Sequence, residues 1–83
     1  ESPLRALALS PDGTTVATAG FSGTIHMIDT ARGTRRGGLT SPSSMVRALA
    51  FHPAGTMLAS GGLDGRVVLW SIADQRPLRE LMP

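Results

Sequence analysis

The chain has 83 residues, no cysteine and a formal net charge of +2 at pH 7. Without cysteine it can form neither disulfides nor thiolate metal sites, and a net charge this small gives little reason to expect a nucleic-acid partner. No apolar run approaches the roughly 20 residues that span a bilayer, and the N-terminal residues lack a signal-peptide pattern. A cytoplasmic protein with no membrane partner is therefore expected.

An internal repeat organises the sequence. When the sequence is aligned with itself at an offset of 42 residues, residue 4 matches residue 46, and the match continues without a gap to residues 39 and 81. The segment "LRALALSPDGTTVATAGFSGTIHMIDT" thus lies over "VRALAFHPAGTMLASGGLDGRVVLWSI". Turn residues and apolar residues are kept, while polar positions vary. A match this long indicates two copies of one structural unit.

The first copy contains the turn sequence "SPDG" and the phrase "GFSGTIHMID", in which two glycines precede an apolar strand. The basic segment "RGTRRGG" (32–38) is predicted to be an exposed outer strand whose charges prevent edge pairing. A contact of Arg32, Arg35 and Arg36 with a phosphate or an acidic partner is the alternative. The segment "LTSPSSM" (39–45) is predicted to be a loop that connects the two copies.

The second copy predicts four short strands. "VRALAF" (46–51) ends at the turn "HPAG", and "TMLASGG" follows as the second strand. A hairpin turn centred on Asp64-Gly65 leads into "RVVLWSI", which is rich in β-branched and aromatic residues. "PLREL" (77–81) is the fourth strand, and its proline and charges suit a sheet edge. No window is typical of an amphipathic helix.

These motifs resemble the WD-repeat β-propeller family over nearly the whole chain. The turn "SPDG" is intact at 10–13, and Ser60, Asp64, Gly65 and Trp70 match the family's phrase "S-G/S-x-D-G-x-v-x-l-W". The resemblance implies an all-β fold of two four-stranded antiparallel propeller blades, the first at 4–41 and the second at 46–83. It also implies a non-catalytic scaffold for protein–protein interaction, expected to be a fragment of a larger propeller.

The family's blade-bracing set of His, Ser, Asp and Trp is incomplete in this sequence. Ser60, Asp64 and Trp70 are the structural residues that could form a partial version in the second blade. The first blade has Ile28-Asp29 where the family has Trp-Asp, and the Gly-His pair expected before the second blade is missing. We therefore expect these blades to be less rigid than the family consensus.

Two blades alone leave two apolar outer faces uncovered, because each face of a propeller blade packs against a neighbour. The protein partners are therefore other blades of the same propeller or copies of this chain, in addition to an unknown protein or peptide. In the alternative reading, the chain closes a homo-oligomeric ring of six or eight blades.

The candidate partner-binding residues are Arg5 and Arg47, which begin the inner strand of each copy, and four residues of the connecting loop: Ser41, Ser43, Ser44 and Met45. Arginines at a channel mouth would favour an acidic peptide or an anion.

Catalytic and cofactor sites are not expected. Ser22 lacks the context of a nucleophile elbow, and Asp64 is better explained as a turn residue than as a general base. The two histidines, His26 and His52, provide too few ligands for zinc. The sequence therefore predicts no catalytic residue, no metal and no cofactor.

Overall fold

Two four-stranded antiparallel sheets make up the chain. The computed structural model describes residues 4–20, 23–41 and 45–81. Strands lie in the order β1-β2-β3-β4 in the first sheet and β5-β6-β7-β8 in the second. Their bounds are Leu4–Leu9, Thr15–Gly20, Thr24–Asp29 and Arg35–Thr40 for β1 to β4, and Val46–Phe51, Met57–Gly62, Val67–Ser71 and Arg76–Leu81 for β5 to β8. These described ranges contain no helix, and the all-β prediction is confirmed.

The turn between β1 and β2 is held by a compact hydrogen-bond network around Asp12. Its Oδ1 accepts from the Ser10 hydroxyl at 2.7 Å, the Thr14 hydroxyl at 2.8 Å and the Thr14 backbone N–H at 3.0 Å. These bonds stabilise the carboxylate and lower the pKa of Asp12 to about 2, the bond from Ser10 contributing most. In the second sheet Ala54 stands at this position, so the corresponding turn lacks the carboxylate.

The turn between β6 and β7 differs from the prediction. The Gly65 N–H donates to the Gly62 carbonyl at 3.1 Å, so the central residues of the turn are Leu63 and Asp64. Gly65 follows them with φ at 89°. A hairpin centred on Asp64-Gly65 would need positive φ at both residues. The chain instead makes a turn that requires the left-handed conformation only at the glycine.

One hydrophobic core lies between the two sheets. The first sheet contributes small residues near its inner edge and larger ones further out: Ala17, Ala19, Ile25, Met27 and Leu39. The second sheet presents mostly large side chains to them: Leu49, Phe51, Leu58, Val68 and Trp70. Because β5 contacts both β1 and β2, the inner edges of the two sheets adjoin. Large side chains of the second sheet thus pack against small residues at the inner edge of the first sheet.

The other face of each sheet has no neighbour within the described chain. On the first sheet this free face contains Leu7 and Leu9, which pair with Thr18 and Val16. Leu7 is 68% exposed and Leu9 59%. On the second sheet the free face contains Ala48, Ala50 and Leu69, and none of them is fully buried.

No helix in the described ranges is long and apolar enough to cross a membrane.

Candidate functional site

β-Bulges occupy the same position in the first strand of each sheet. In β1 the register shifts between Leu4 and Ala6, and in β5 it shifts between Val46 and Ala48. Arg5 and Arg47 are the extra residues, and both are exposed. A bulge redirects the side chain of its extra residue and interrupts regular pairing. The two arginines of the repeat therefore have matching positions at one end of adjacent inner strands.

The connection between the sheets lies at that same end. The Ser41 N–H donates to the Gly23 carbonyl at 2.9 Å, next to the β2–β3 turn. The Met45 carbonyl accepts from the Leu63 N–H at 3.1 Å, in the β6–β7 turn. Both ends of the connecting segment are thus anchored to hairpin turns, one in each sheet. The other two candidates, Ser43 and Ser44, lie outside the described residues.

The predicted bracing residues of the second blade occupy two different environments. The Trp70 Nε1–H donates to the Ser60 hydroxyl at 2.9 Å, and both residues are buried. Asp64 lies at the surface, where its Oδ1 accepts the Arg66 N–H at 3.1 Å and its Oδ2 lies 3.7 Å from the Arg66 Nε. The Ser60–Trp70 bond links β6 to β7, and Asp64 organises the turn between them.

The two histidines are far from forming a metal site. His52 accepts the Ala54 N–H on its Nδ1 at 3.0 Å, which is a turn contact. His26 lies in β3 opposite Thr18, and its Nδ1 is buried without a partner among the described residues. Within those residues no group of three or more His, Cys, Asp or Glu side chains could hold a metal ion.

A groove between the sheets contains Arg36, one of three neighbouring arginines to which the sequence alone gives equivalent roles. Arg36 is the extra residue of a bulge in β4, where the register shifts between Met27 and Ile28 of β3. Its Nη1 donates to the Thr15 hydroxyl at 2.9 Å, and Thr15 is buried. The repeat distinguishes Arg36 from the other arginines of this segment. In the second copy Leu78 stands at the position of Arg36, and Met57 stands at that of Thr15.

Comparison with known proteins identifies the family. The sequence model described as "WD domain, G-beta repeat" matches residues 1–29 and 33–71. The chain belongs to this family. Proteins built from WD repeats are generally non-catalytic scaffolds that bind other proteins. No curated protein matches the sequence significantly.

A solved structure shows the same WD-repeat architecture. The crystal structure of RRP9 WD40 repeats superposes with a TM-score of 0.94 at 19% sequence identity. The match covers 100% of this chain and 27% of the RRP9 chain, so this chain spans about a quarter of the length of that solved chain. At this identity the likeness establishes the fold alone, and a fold does not determine function.

Proposed function

We propose that this WD-repeat chain is a non-catalytic scaffold that binds another protein through the end of the sheets where Arg5 and Arg47 lie. The observation that carries the proposal is the pair of matched bulges, which expose both arginines beside the anchored Ser41–Met45 connection. Loops supported by a rigid sheet are common binding surfaces. Two guanidinium groups at this end favour a partner segment that carries carboxylates.

Further blades of a larger propeller would cover the two free faces in this proposal. Two observations support it: the exposed apolar residues of the first sheet, such as Leu7 and Leu9, and the match to only 27% of the RRP9 chain. Exposed apolar patches larger than several hundred Å² are rare on isolated soluble proteins and usually mark an interface.

The test is site-specific photocrosslinking in the cells that produce the protein. A benzophenone amino acid placed at Ser41 should capture a partner protein, and Arg47→Ala should lower the yield several-fold. Arg79→Ala is the matched control, because Arg79 is also exposed but lies in the outer strand β8. Equal loss in both variants, or no effect of Arg47→Ala, would contradict the proposed binding surface.

A homo-oligomeric ring is the second candidate, and the repeat itself favours it. The free face of the first sheet holds Leu7, Leu9 and Ile28, the counterparts of Leu49, Phe51 and Trp70 in the observed interface. The free face of the second sheet holds Ala48, Ala50 and Ala59, which correspond to small residues on the other side of that interface. A second copy could thus repeat the packing head to tail, and three or four copies would close a ring of six or eight blades.

A further inference from the structure

The bulge in β4 separates two adjacent arginines. Arg35 pairs with Ile28 of β3, and Gly37 pairs with Met27, so Arg36 is the unpaired residue between them. Arg36 reaches the Thr15 hydroxyl on β2, two strands away. Thr15 contributes to the side of the first sheet that faces the second sheet. The bulge therefore directs Arg36 to the groove between the sheets, whereas Arg35 remains on the exposed edge strand.

Arg36 retains donors that no described residue uses. Among those residues its polar contact is the single bond from Nη1 to Thr15, and none of their ion pairs includes it. A guanidinium group has five N–H donors in a planar fork that fits a carboxylate. Four donors on an exposed side chain thus remain available to a ligand.

The groove beside Arg36 has apolar walls and a polar rim. A pocket of ≈ 280 Å³ opens there, with one wall from each sheet. Met27 and Leu39 line it from the first sheet, and Ile72 and Ala73 line it from the second. The Gln75 side chain lies at the rim, close to Gly37, where a Cβ would come 2.9 Å from its Cδ. This volume suits one side chain of a bound segment rather than a large cofactor.

The repeat shows that the polar pair is not needed to build a blade. In the second copy Leu78 stands at the position of Arg36, and Met57 stands at that of Thr15. Leu78 is also the extra residue of a β-bulge, since Arg79 pairs with Leu69 and Pro77 with Trp70. The same backbone geometry thus exists with an apolar pair. The arginine and the threonine are specific to the seam between these two sheets.

We propose that this pocket binds an acidic side chain of a partner protein, with the carboxylate on Arg36 and the adjoining apolar residue of the partner against Met27, Leu39 and Ile72. The inference extends the proposed function, since it assigns a second contact to the partner-binding scaffold. It lies in the groove between the sheets and involves none of the residues at the Arg5–Arg47 end.

The surroundings favour a carboxylate over a polyanion. A wider pocket of ≈ 480 Å³ adjoins the first one, and Asp12 lines it together with Arg36. Asp12 is ionised at neutral pH, and the hydrogen bonds from Ser10 and Thr14 keep its pKa below the ordinary value. Its negative charge repels any anion, and the repulsion grows with the charge of the ligand, so a singly charged carboxylate on Arg36 is disfavoured less than a phosphate chain or nucleic acid.

The experiment is an NMR titration of the ¹⁵N-labelled chain with two capped tripeptides. The probe is acetyl-Leu-Glu-Leu-amide, and the neutral comparison is acetyl-Leu-Gln-Leu-amide. We expect the Glu peptide to shift the Arg36 Nε–H signal and the backbone amides of Thr15, Ala73 and Gln75. The Gln peptide should bind about tenfold more weakly, which is the scale of one charge-assisted hydrogen bond. Equal binding of the two peptides would overturn the proposal.

Variants matched in net charge distinguish a specific site at Arg36 from a general effect of the protein's charge. Arg36→Gln should weaken binding of the Glu peptide about tenfold, since it removes the charge and the fork. Arg35→Gln changes the net charge equally and should leave the affinity within twofold. The affinity of Arg36→Lys, which keeps the charge, should lie between those of Arg36→Gln and Arg35→Gln. This variant provides the test if Arg36→Gln does not fold. Equal losses in Arg35→Gln and Arg36→Gln would refute a specific site.

Inorganic phosphate identifies the anion class. At the same concentration it should shift the Arg36 signal less than the Glu peptide does, and tighter binding of phosphate would overturn the assignment to a carboxylate. Arg47→Ala should leave the titration unchanged. Loss of binding in Arg47→Ala alone would refute the groove and favour the loop end, so failure of this inference is distinguishable from failure of the proposed function.

Discussion

At the scale of single residues, buried polar contacts show what the incomplete bracing set still provides. Ser60 is 2% exposed, and its hydroxyl accepts the Trp70 indole N–H. A buried hydroxyl that loses its partner costs about 1–3 kcal/mol, more than the bond itself contributes. In the first sheet Thr18 and Ile28 occupy these two positions, so the corresponding indole bond is absent there. Among the described residues, this contact between the second and third strands therefore occurs in the second blade alone.

A double-mutant cycle tests the contact between Ser60 and Trp70. Trp70→Phe should lower the free energy of unfolding by about 1–3 kcal/mol, because it leaves the Ser60 hydroxyl buried without a donor. Ser60→Ala should cost about 1 kcal/mol, and the double variant should cost about 0.5–1.5 kcal/mol less than the sum of the two. Urea unfolding of the four proteins measures this coupling. Additive losses would show that the hydrogen bond contributes nothing.

Asp12 makes the stability of the first turn dependent on pH. Its folded-state pKa is about 2, below the ordinary value of 3.8. The ionised carboxylate therefore contributes stability that is fully present above about pH 4 and is lost as the pH falls through about 2. We expect a ¹³C NMR titration midpoint of the Asp12 carboxyl near 2. The difference in urea midpoint between the parent and Asp12→Ala should shrink from pH 5 to pH 2. A midpoint near 3.8 would contradict the network.

At the scale of strands and turns, the sequence predicted most of the architecture. The repeat and the alternation of apolar residues with turn residues were sufficient to place four strands in each copy, because those patterns are local. The turn after β6 was predicted with the wrong centre, since Asp64-Gly65 suits more than one hairpin type and the cross-strand register decides between them.

The groove site could not be predicted from the basic segment alone. Arg32, Arg35 and Arg36 form one charge cluster in the sequence, and the expected outer strand gives them equivalent roles. The bulge in β4 distinguishes Arg36 from Arg35, but it depends on pairing with β3 and on the neighbouring sheet. Within the sequence, only the apolar Leu78 at the corresponding position of the second copy sets Arg36 apart. The matched bulges at Arg5 and Arg47 likewise depend on how β1 pairs with β2 and β5 with β6, which the sequence does not show.

Gly37 shows how β4 accommodates the turn that precedes β8. A Cβ at this position would approach the Gln75 side-chain amide, so Gly37→Ala should displace that amide from the pocket rim. The flexible end of the glutamine can move away, but Gly37 has φ at 159°, a backbone conformation that residues with a Cβ rarely adopt, so Gly37→Ala should cost about 1–3 kcal/mol. Gly38→Ala is the control, since its Cβ would meet the Ile25 carbonyl oxygen at an ordinary 3.5 Å.

The measurement for Gly37→Ala is the position of the Gln75 side-chain NH₂ signals in an NMR spectrum. They should shift in Gly37→Ala and stay in place in Gly38→Ala, while urea unfolding records the loss of stability. Unchanged Gln75 signals in Gly37→Ala would contradict the close approach of these two residues.

At the scale of the whole molecule, the two free faces determine how the chain associates. At its inner edge the buried interface joins large apolar side chains of one sheet to small residues of the other, and the free faces carry the repeat counterparts of both. The hydrophobic effect therefore favours covering each free face with a further sheet. Blades of a larger propeller would do so in the proposed scaffold, and copies of this chain would do so in a ring.

Association of the isolated chain shows whether the two free faces are interfaces. We would measure the native molar mass by light scattering on a sizing column over a series of concentrations. We predict a mass above that of one chain that falls on dilution, and a discrete trimer or tetramer would favour the ring over the larger propeller. Leu7→Asp on the free face should abolish association, whereas Leu63→Asp in the β6–β7 turn should not. A folded single chain at every concentration would contradict the claim that these faces are interfaces.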